Sequence, residues 1–376
     1  MIHLPTDNNM KVIIDSHMLG QKEAGNETYI LGLLNGIDQI CRDTERFEIY
    51  PLINKNYSLP IKCTNFRNIT LSSSSDIRRV FIDIPLAQRN VNADITHVTY
   101  NASPFIRGKL VVTVHDVIFR IFPQYFSPKV RLILSTLLPL SMHRANIILT
   151  ISLSSKKEIT HYYPFTRNKI ISIPIGPGAV VNTPPNTSEI AIYTRKKDFI
   201  LAVGTIQPRK NIARLIDAYT LLRRRSSTAA RLIIVGKADW QHSKIYEKAM
   251  RSPYHDDIVF TGYLDDTMLA ALYRQCSVFV YPSLYEGFGL PVVEAMACGA
   301  PVITSNVSSL PEVAGSAALL VNPYSVSDLA DAIEQVLSDP NLQDKLRSEG
   351  VKQASKFSWS RTARETLQVY EKIVNS

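Results

Sequence analysis

Cysteine is scarce in this chain: Cys41, Cys63, Cys276 and Cys298 are the only four, and no two form a C-x-x-C pair. This spacing excludes a clustered zinc site and a disulfide framework, so reduced thiols are expected. No apolar run approaches the roughly 18 uninterrupted residues of a membrane-spanning helix. Internal repeats and long low-complexity tracts are also missing, and Ser72 to Ser75 is only a short loop signal. Residues 1–10 lack the basic-then-apolar design of a secretory leader. The folded part is therefore expected to begin near Met10, in a cytoplasmic protein.

What remains is an ordinary globular composition, 45% hydrophobic and 20% charged, over 376 residues. That length exceeds one ordinary core and fits two domains. The net charge of +9 is unevenly placed, with +7 on residues 1–186 and +2 on residues 187–376. A basic first half suits an anionic lipid surface or a phosphorylated acceptor. Nucleic acid is not expected as a partner, because no nucleic-acid motif accompanies the charge.

The chain is organised around Ser283-Leu284-Tyr285-Glu286-Gly287-Phe288-Gly289-Leu290-Pro291-Val292-Val293-Glu294. An apolar strand at 278–281 leads into a loop with two glycines, and Pro291 suits the first turn of a helix. Gly299 stops that helix before a further strand at 301–304. A strand, a Gly-containing loop and a helix N-terminus make a ready site for an anion such as a nucleotide's phosphates. Gly287, Phe288, Gly289 and Leu290 are the loop's candidates for binding it. Glu286 and Glu294 frame the turn and can address different parts of one elongated ligand. A carboxylate beside a phosphate site is tolerable when it faces sugar hydroxyls. Taken alone, such a pair would be a loop Glu and a surface-helix Glu.

Glu286 and Glu294, with seven residues between them inside Tyr-Glu-Gly-Phe-Gly-Leu-Pro-Val-Val-Glu-Ala-Met-Ala-Cys-Gly, resemble the nucleotide-sugar signature of the retaining family-four glycosyltransferases. The likeness continues through Ser305 to Gly315 and covers most of the C-terminal half. It implies a GT-B fold: two doubly wound α/β domains facing a cleft. Among relatives, the motifs look most like those of bacterial mannosyltransferases that build surface polysaccharide.

In chain order, residues 11–15 read as a buried parallel strand and residues 27–40 as a helix. Between them lies Gly20-Gln21-Lys22-Glu23-Ala24-Gly25-Asn26-Glu27, where the family's paired glycines are only partly kept. The resemblance makes Gly25 and Asn26 donor-binding candidates; an ordinary surface turn is the competing reading. Strands at 47–52, 94–98 and 110–114 follow. His115 and Asp116 fall at the carboxyl end of the last, where open α/β sheets place ligands, and they look like the family's His-Asp turn. Residues 127–144 form an amphipathic helix with Val130, Ile133, Leu134, Leu137 and Leu138 on one face. It packs on its own sheet or faces a membrane or acceptor.

The domain boundary is expected within residues 174–194, giving domains 1–186 and 187–358. The last helix, 359–376, resembles the family's C-terminal segment, which implies that it crosses back to the first domain. After the strand at 198–203 comes Gly204-Thr205-Ile206-Gln207-Pro208-Arg209-Lys210-Asn211, where Arg209 and Lys210 stand at a strand-to-helix handover. They can share a diphosphate's charge, one as a fork and the other as a point charge, and they match the family's Arg-Lys-Asn element. Gly204 joins the donor-binding set. Gly262, Tyr263 and Leu264, after the strand at 258–263, are the family's place for the base. Guanine, uracil and adenine are not told apart by this pattern.

The expected reaction is metal-independent transfer of a hexose, with retention, from a nucleotide-diphosphate sugar to a hydroxyl of a lipid-linked or polysaccharide acceptor. GDP-mannose leads among donors, no cofactor is implied, and no Asp-x-Asp of the metal-dependent kind is present. Arg209 and Lys210 would stabilise the departing diphosphate, Glu286 the sugar hydroxyls, Glu294 the ribose diol, and His115 a sugar hydroxyl or the transition state. The acceptor would lie at the inner membrane face. A nucleotide-sugar epimerase, a phosphorylase-like protein and a non-catalytic binding subunit are the alternatives.

Overall fold

A computed structural model describes residues 9–21, 24–41, 46–61, 63–73, 75–195, 198–239 and 242–375. The chain divides into two compact units, residues 1–175 with 358–376 and residues 176–357. Each is built on one parallel sheet whose central strands are mainly apolar, as burial on both faces demands.

The first unit contains β1 (Met10–Asp15), α1 (Ala24–Cys41), β2 (Phe47–Ile53), β3 (Ile69–Thr70), β4 (Ile95–Thr99), β5 (Lys109–Thr113), α2 (Pro128–Arg144), β6 (Ile147–Thr150) and β7 (Ile170–Ser172). Its sheet runs β3-β2-β1-β4-β5-β6-β7, so the strand order reverses direction between β1 and β4. Val12, Ile13 and Ile14 of β1 are essentially inaccessible to solvent and anchor the core.

The second unit contains β8 (Phe199–Val203), α3 (Ile212–Arg225), β9 (Arg231–Val235), β10 (Ile258–Gly262), α4 (Asp266–Gln275), β11 (Val278–Tyr281), α5 (Leu290–Ala297), β12 (Val302–Ser305) and β13 (Leu319–Val321). Its order, β10-β9-β8-β11-β12-β13, places the reversal between β8 and β11, the two strands that lead into the Arg209 and Glu286 loops. Ligands of such sheets bind at that reversal.

The last helix, α6 (Trp359–Val374), belongs to the first unit. It lies so close to α1 that a methyl group on Gly36 would come within 2.4 Å of the Trp359 carbonyl oxygen. Buried Tyr370 of α6 lies 2.5 Å from Nδ1 of His97, whose Nε2 meets Thr113 Oγ1 at 2.7 Å. Burial lowers the His97 pKa to about 3, so a neutral imidazole bridges helix and sheet.

Three expectations need correction. The boundary falls between Ile175 and Gly176, inside the expected 174–194 stretch but eleven residues before the cut at 186. Residues 176–186 pack on the second unit: Arg274 donates to the carbonyls of Val181 and Thr183, and the Asn186 N–H to Thr267. Gly25 and Asn26 lie in the first turn of α1 rather than in a loop, while Lys22 and Glu23 lie outside the described residues. Helix α2 is capped by Ser127 rather than beginning with it, and Val130 and Ile133 are exposed while Leu138 and Met142 carry the packing.

Candidate functional site

Arg209 and Lys210 occupy a short 3-10 turn, Pro208–Lys210, between β8 and α3. Asn211 ends the turn in the left-handed region, at φ 61°, and its amide donates to the carbonyls of Pro282 and Pro323. The Leu284 N–H donates to the Arg209 carbonyl, and Arg209 Nη1 to the carbonyl of Tyr285. Two loops separated by some 70 positions in sequence are thereby stitched together before any side-chain charge is considered.

Glu286 sits between the two cations, with Oε2 2.8 Å from Arg209 Nη1 and Oε1 2.6 Å from Lys210 Nζ. The Tyr281 hydroxyl, at the end of β11, donates to Oε1 at 2.9 Å and accepts from Lys210 at 2.5 Å. Burial alone would raise the Glu286 pKa, but Arg209 and Lys210 outweigh it and hold the carboxyl near 2. Lys210 moves the other way: burial, helped by Arg209 and opposed by Glu286, lowers it to about 8. Two cations against one carboxylate leave an excess positive charge in a nearly dry site. An anion of the right size completes it.

The Glu286 loop is tied down from its far side. Ser308, at φ 55°, accepts from the Glu286 N–H, and buried Ser309 donates to the carbonyls of Glu286 and Phe288. Phe288 packs edge-on against Phe357, with 5.5 Å between ring centroids. Gly289 turns the chain at φ 113°, where a side chain would also meet Leu310, and Leu290 opens α5.

Glu294, on α5, is partly buried rather than a surface carboxylate. It accepts from the Gly178 N–H at 3.2 Å and from the Tyr273 hydroxyl at 3.3 Å. Desolvation, with a smaller push from Asp266, outweighs those bonds and raises its pKa to about 7. Such a carboxyl takes up or loses a proton near neutrality according to what binds against it.

Gly204 and Gly262 end β8 and β10 with positive φ, and Gly236, which the sequence reading passed over, ends β9 likewise. A methyl on Gly236 would lie 2.0 Å from the Gly204 carbonyl oxygen, so no other residue fits there. Its signal was available: three successive strands each run into a glycine. Leu264 is buried, whereas Tyr263 is 69% exposed, with the Lys237 ammonium 5.0 Å from its ring centroid.

In the first unit, His115 is 7% exposed and neither ring nitrogen has a hydrogen-bond partner among the described residues. Tyr29 and Tyr100 meet it edge-on, at 4.7 and 5.7 Å between centroids. Burial lowers its pKa to about 4. Asp116 caps the next turn by accepting from the Ile118 N–H, and Gly25 faces open space. The structure thus brings Arg209, Lys210 and Glu286 into one cluster within the second unit, with Tyr281 as the member that spacing did not reveal.

Two parallel-sheet, Rossmann-like units of this kind define the GT-B class of glycosyltransferases, and the fold matches one at full length. Sucrose-phosphate synthase from Thermosynechococcus elongatus superposes with a TM-score of 0.76 at 22% identity, covering 97% of this chain and 99% of that one. The family pattern of glycosyl transferases group 1 matches residues 187–353. O-antigen chain mannosyltransferase B of Escherichia coli is 34% identical over 269 residues, 70% of each protein. The serotype-specific mannosyltransferase WbdA of Escherichia coli is 34% identical over 240 residues, 62% of this chain but only 29% of that larger protein. The chain belongs to the group 1 glycosyltransferases and is a hexosyltransferase.

Proposed function

We propose that the protein transfers mannose from GDP-mannose to a hydroxyl of a lipid-linked or growing surface polysaccharide, with retention and without metal or cofactor. The observation that carries this reading is the Arg209–Lys210–Glu286 cluster beside the N-terminus of α5, an anion site built from side chains and a helix end. The mannosyltransferase relatives supply the sugar.

An arriving diphosphate competes with Glu286 for the two cations. The carboxylate so released accepts hydrogen bonds from the sugar, while Glu294 takes the ribose diol and Gly262, with open space where a side chain would stand, faces the base. As the glycosidic bond breaks, Arg209 and Lys210 hold the charge that develops on the diphosphate, and a phosphate oxygen takes the acceptor's proton on the same face. His115, neutral at pH 7, serves as a hydrogen-bond partner rather than a charge. Among the described residues no group of three His, Cys, Asp or Glu side chains is placed to hold a metal ion, and none is needed to balance the leaving group.

No helix among the described residues is long and apolar enough to cross a membrane. The acceptor's lipid would be reached from the surface, through α2, where exposed Val130, Leu132, Ile133 and Leu140 accompany Lys129 and Arg131.

The test is a thermal-shift panel of GDP-, UDP- and ADP-sugars, followed by transfer from labelled GDP-mannose to octyl α-mannoside in excess EDTA. A ligand that binds the folded state raises its melting temperature. GDP-mannose should give the largest rise, with transfer unaffected by EDTA and the product α-linked. Stabilisation without transfer to any acceptor would support a binding subunit, and conversion of the sugar without an acceptor would support an epimerase.

A further inference from the structure

The strand order of the first unit reverses between β1 and β4, so its own ligand-binding position lies at the carboxyl ends of those two strands. Asp15, the last residue of β1, is wholly buried, and its carboxylate is shared. Oδ2 pairs with Arg79, and Oδ1 lies 3.0 Å from Nδ1 of His17. Arg79 is itself 7% exposed and opens a π-helical segment, Arg79–Asp83, a distortion often found at functional sites. Its second Nη group is engaged by Asp76 at 2.9 Å. The His17 backbone is fixed as well, because the Asn54 amide donates to the carbonyls of both His17 and Leu19. Across the reversal, Tyr100 follows β4 in the left-handed region at φ 62°, a conformation a tyrosine adopts only where its surroundings demand it.

This is more apparatus than a surface turn needs. An ionised carboxylate only accepts, so Asp15 accepts a hydrogen bond from Nδ1–H and fixes the plane of the imidazole. Nε2, without a partner among the described residues, is the atom offered to a ligand; the side chain is 17% exposed. Both Nη groups of Arg79 are engaged by Asp15 and Asp76, so among the described residues around His17 no cation faces a ligand, and the imidazole suits a neutral hydroxyl.

We propose that His17 binds a hydroxyl of the sugar acceptor through Nε2, with Asp15 and Arg79 as positioning residues. The inference rests on the glycosyltransferase reading above and adds to it the acceptor contact, which neither the sequence motifs nor the family match supplies.

The experiment uses the full chain, GDP-mannose and octyl α-mannoside. His17→Ala should raise the KM for octyl α-mannoside by at least tenfold, while GDP-mannose binding and slow hydrolysis in the absence of acceptor stay at wild-type levels. His17→Gln, which returns a polar nitrogen near the Nε2 position, should recover part of the loss. Independently of turnover, octyl α-mannoside should shift the Nε2 nitrogen resonance of His17 more than its Nδ1 resonance. Asp15→Asn leaves Arg79 with a weaker buried partner and is informative only beside these exposed-side variants. An unchanged acceptor KM in His17→Ala, or an Nε2 signal indifferent to octyl α-mannoside, overturns the proposal and leaves the donor site standing. A wild-type protein that neither binds nor hydrolyses GDP-mannose overturns both.

Discussion

At the scale of single residues, the donor site stores an imbalance. Arg209 and Lys210 share one carboxylate in a nearly dry setting, so removing either leaves Glu286 half-compensated and the incoming diphosphate with one donor. Arg209→Ala and Lys210→Ala should each lower kcat at least tenfold, about 1.4 kcal/mol of transition-state stabilisation, in an assay of transfer from GDP-mannose. The Glu294 carboxyl, raised to about 7, must be ionised to accept from a diol, and Lys210, lowered to about 8, must be protonated to hold phosphate. The kcat/KM for donor should therefore climb as pH passes about 7 and decline as it passes about 8. The sign for stability is opposite to that of an ordinary salt-bridged acid. A carboxyl whose pKa is raised by folding contributes fully below its unfolded value and loses that contribution as pH rises through about 7. Glu294→Gln should accordingly raise the melting temperature of the ligand-free protein at pH 8.5, leave it nearly unchanged at pH 4.5, and abolish the acid limb of kcat/KM.

At the scale of elements, parallel strands buried on both faces announce themselves as apolar runs, and helices α3 and α5 are bounded by Asn211, Gly289 and Gly299 in ways the sequence states openly. The Arg-Lys turn and Glu286 were legible because each follows a strand end, and Glu294 because it lies in the helix that the Glu286 loop opens. Tyr281, Tyr273 and Gly178 were not, because their value comes from partners far along the chain: Tyr273 reaches Glu294 across 21 positions and Gly178 across 116. Gly32 and Gly36 of α1 form the recess into which Trp359 fits, a role that no local pattern announces. Gly36→Ala would press a methyl against backbone rather than a movable side chain and should destabilise the fold by about 1–3 kcal/mol, measured by urea unfolding. Helix α2 was read from a spacing that put Val130 and Ile133 inward; their exposure leaves an apolar strip flanked by Lys129 and Arg131. Vesicles rich in phosphatidylglycerol should capture the wild-type protein in flotation, and Ile133→Glu with Leu132→Glu should release it without lowering its melting temperature.

At the scale of the molecule, two units follow from length alone, but their membership does not. Residues 358–376 close the first unit after the whole of the second has been written. Nothing in their amphipathic pattern names α1 as their seat; the glycines that receive Trp359 are more than 300 positions upstream. Ending the chain after Phe357 should therefore melt the first unit while sparing the second. In a denaturation scan the single wild-type transition should give way to an early loss of the β1–β7 core and a later one near the original midpoint.

The bond between His97 and Tyr370 spans 273 positions. During synthesis the imidazole at the heart of the first sheet lacks its helix partner until residue 370 has been added. At about 5–20 residues per second the delay is roughly ten to forty seconds after the first unit's own strands have left the ribosome. The protein's oldest-made half is thus the last to become fully native, and it depends through that interval on whatever shields an open α1 face from its neighbours.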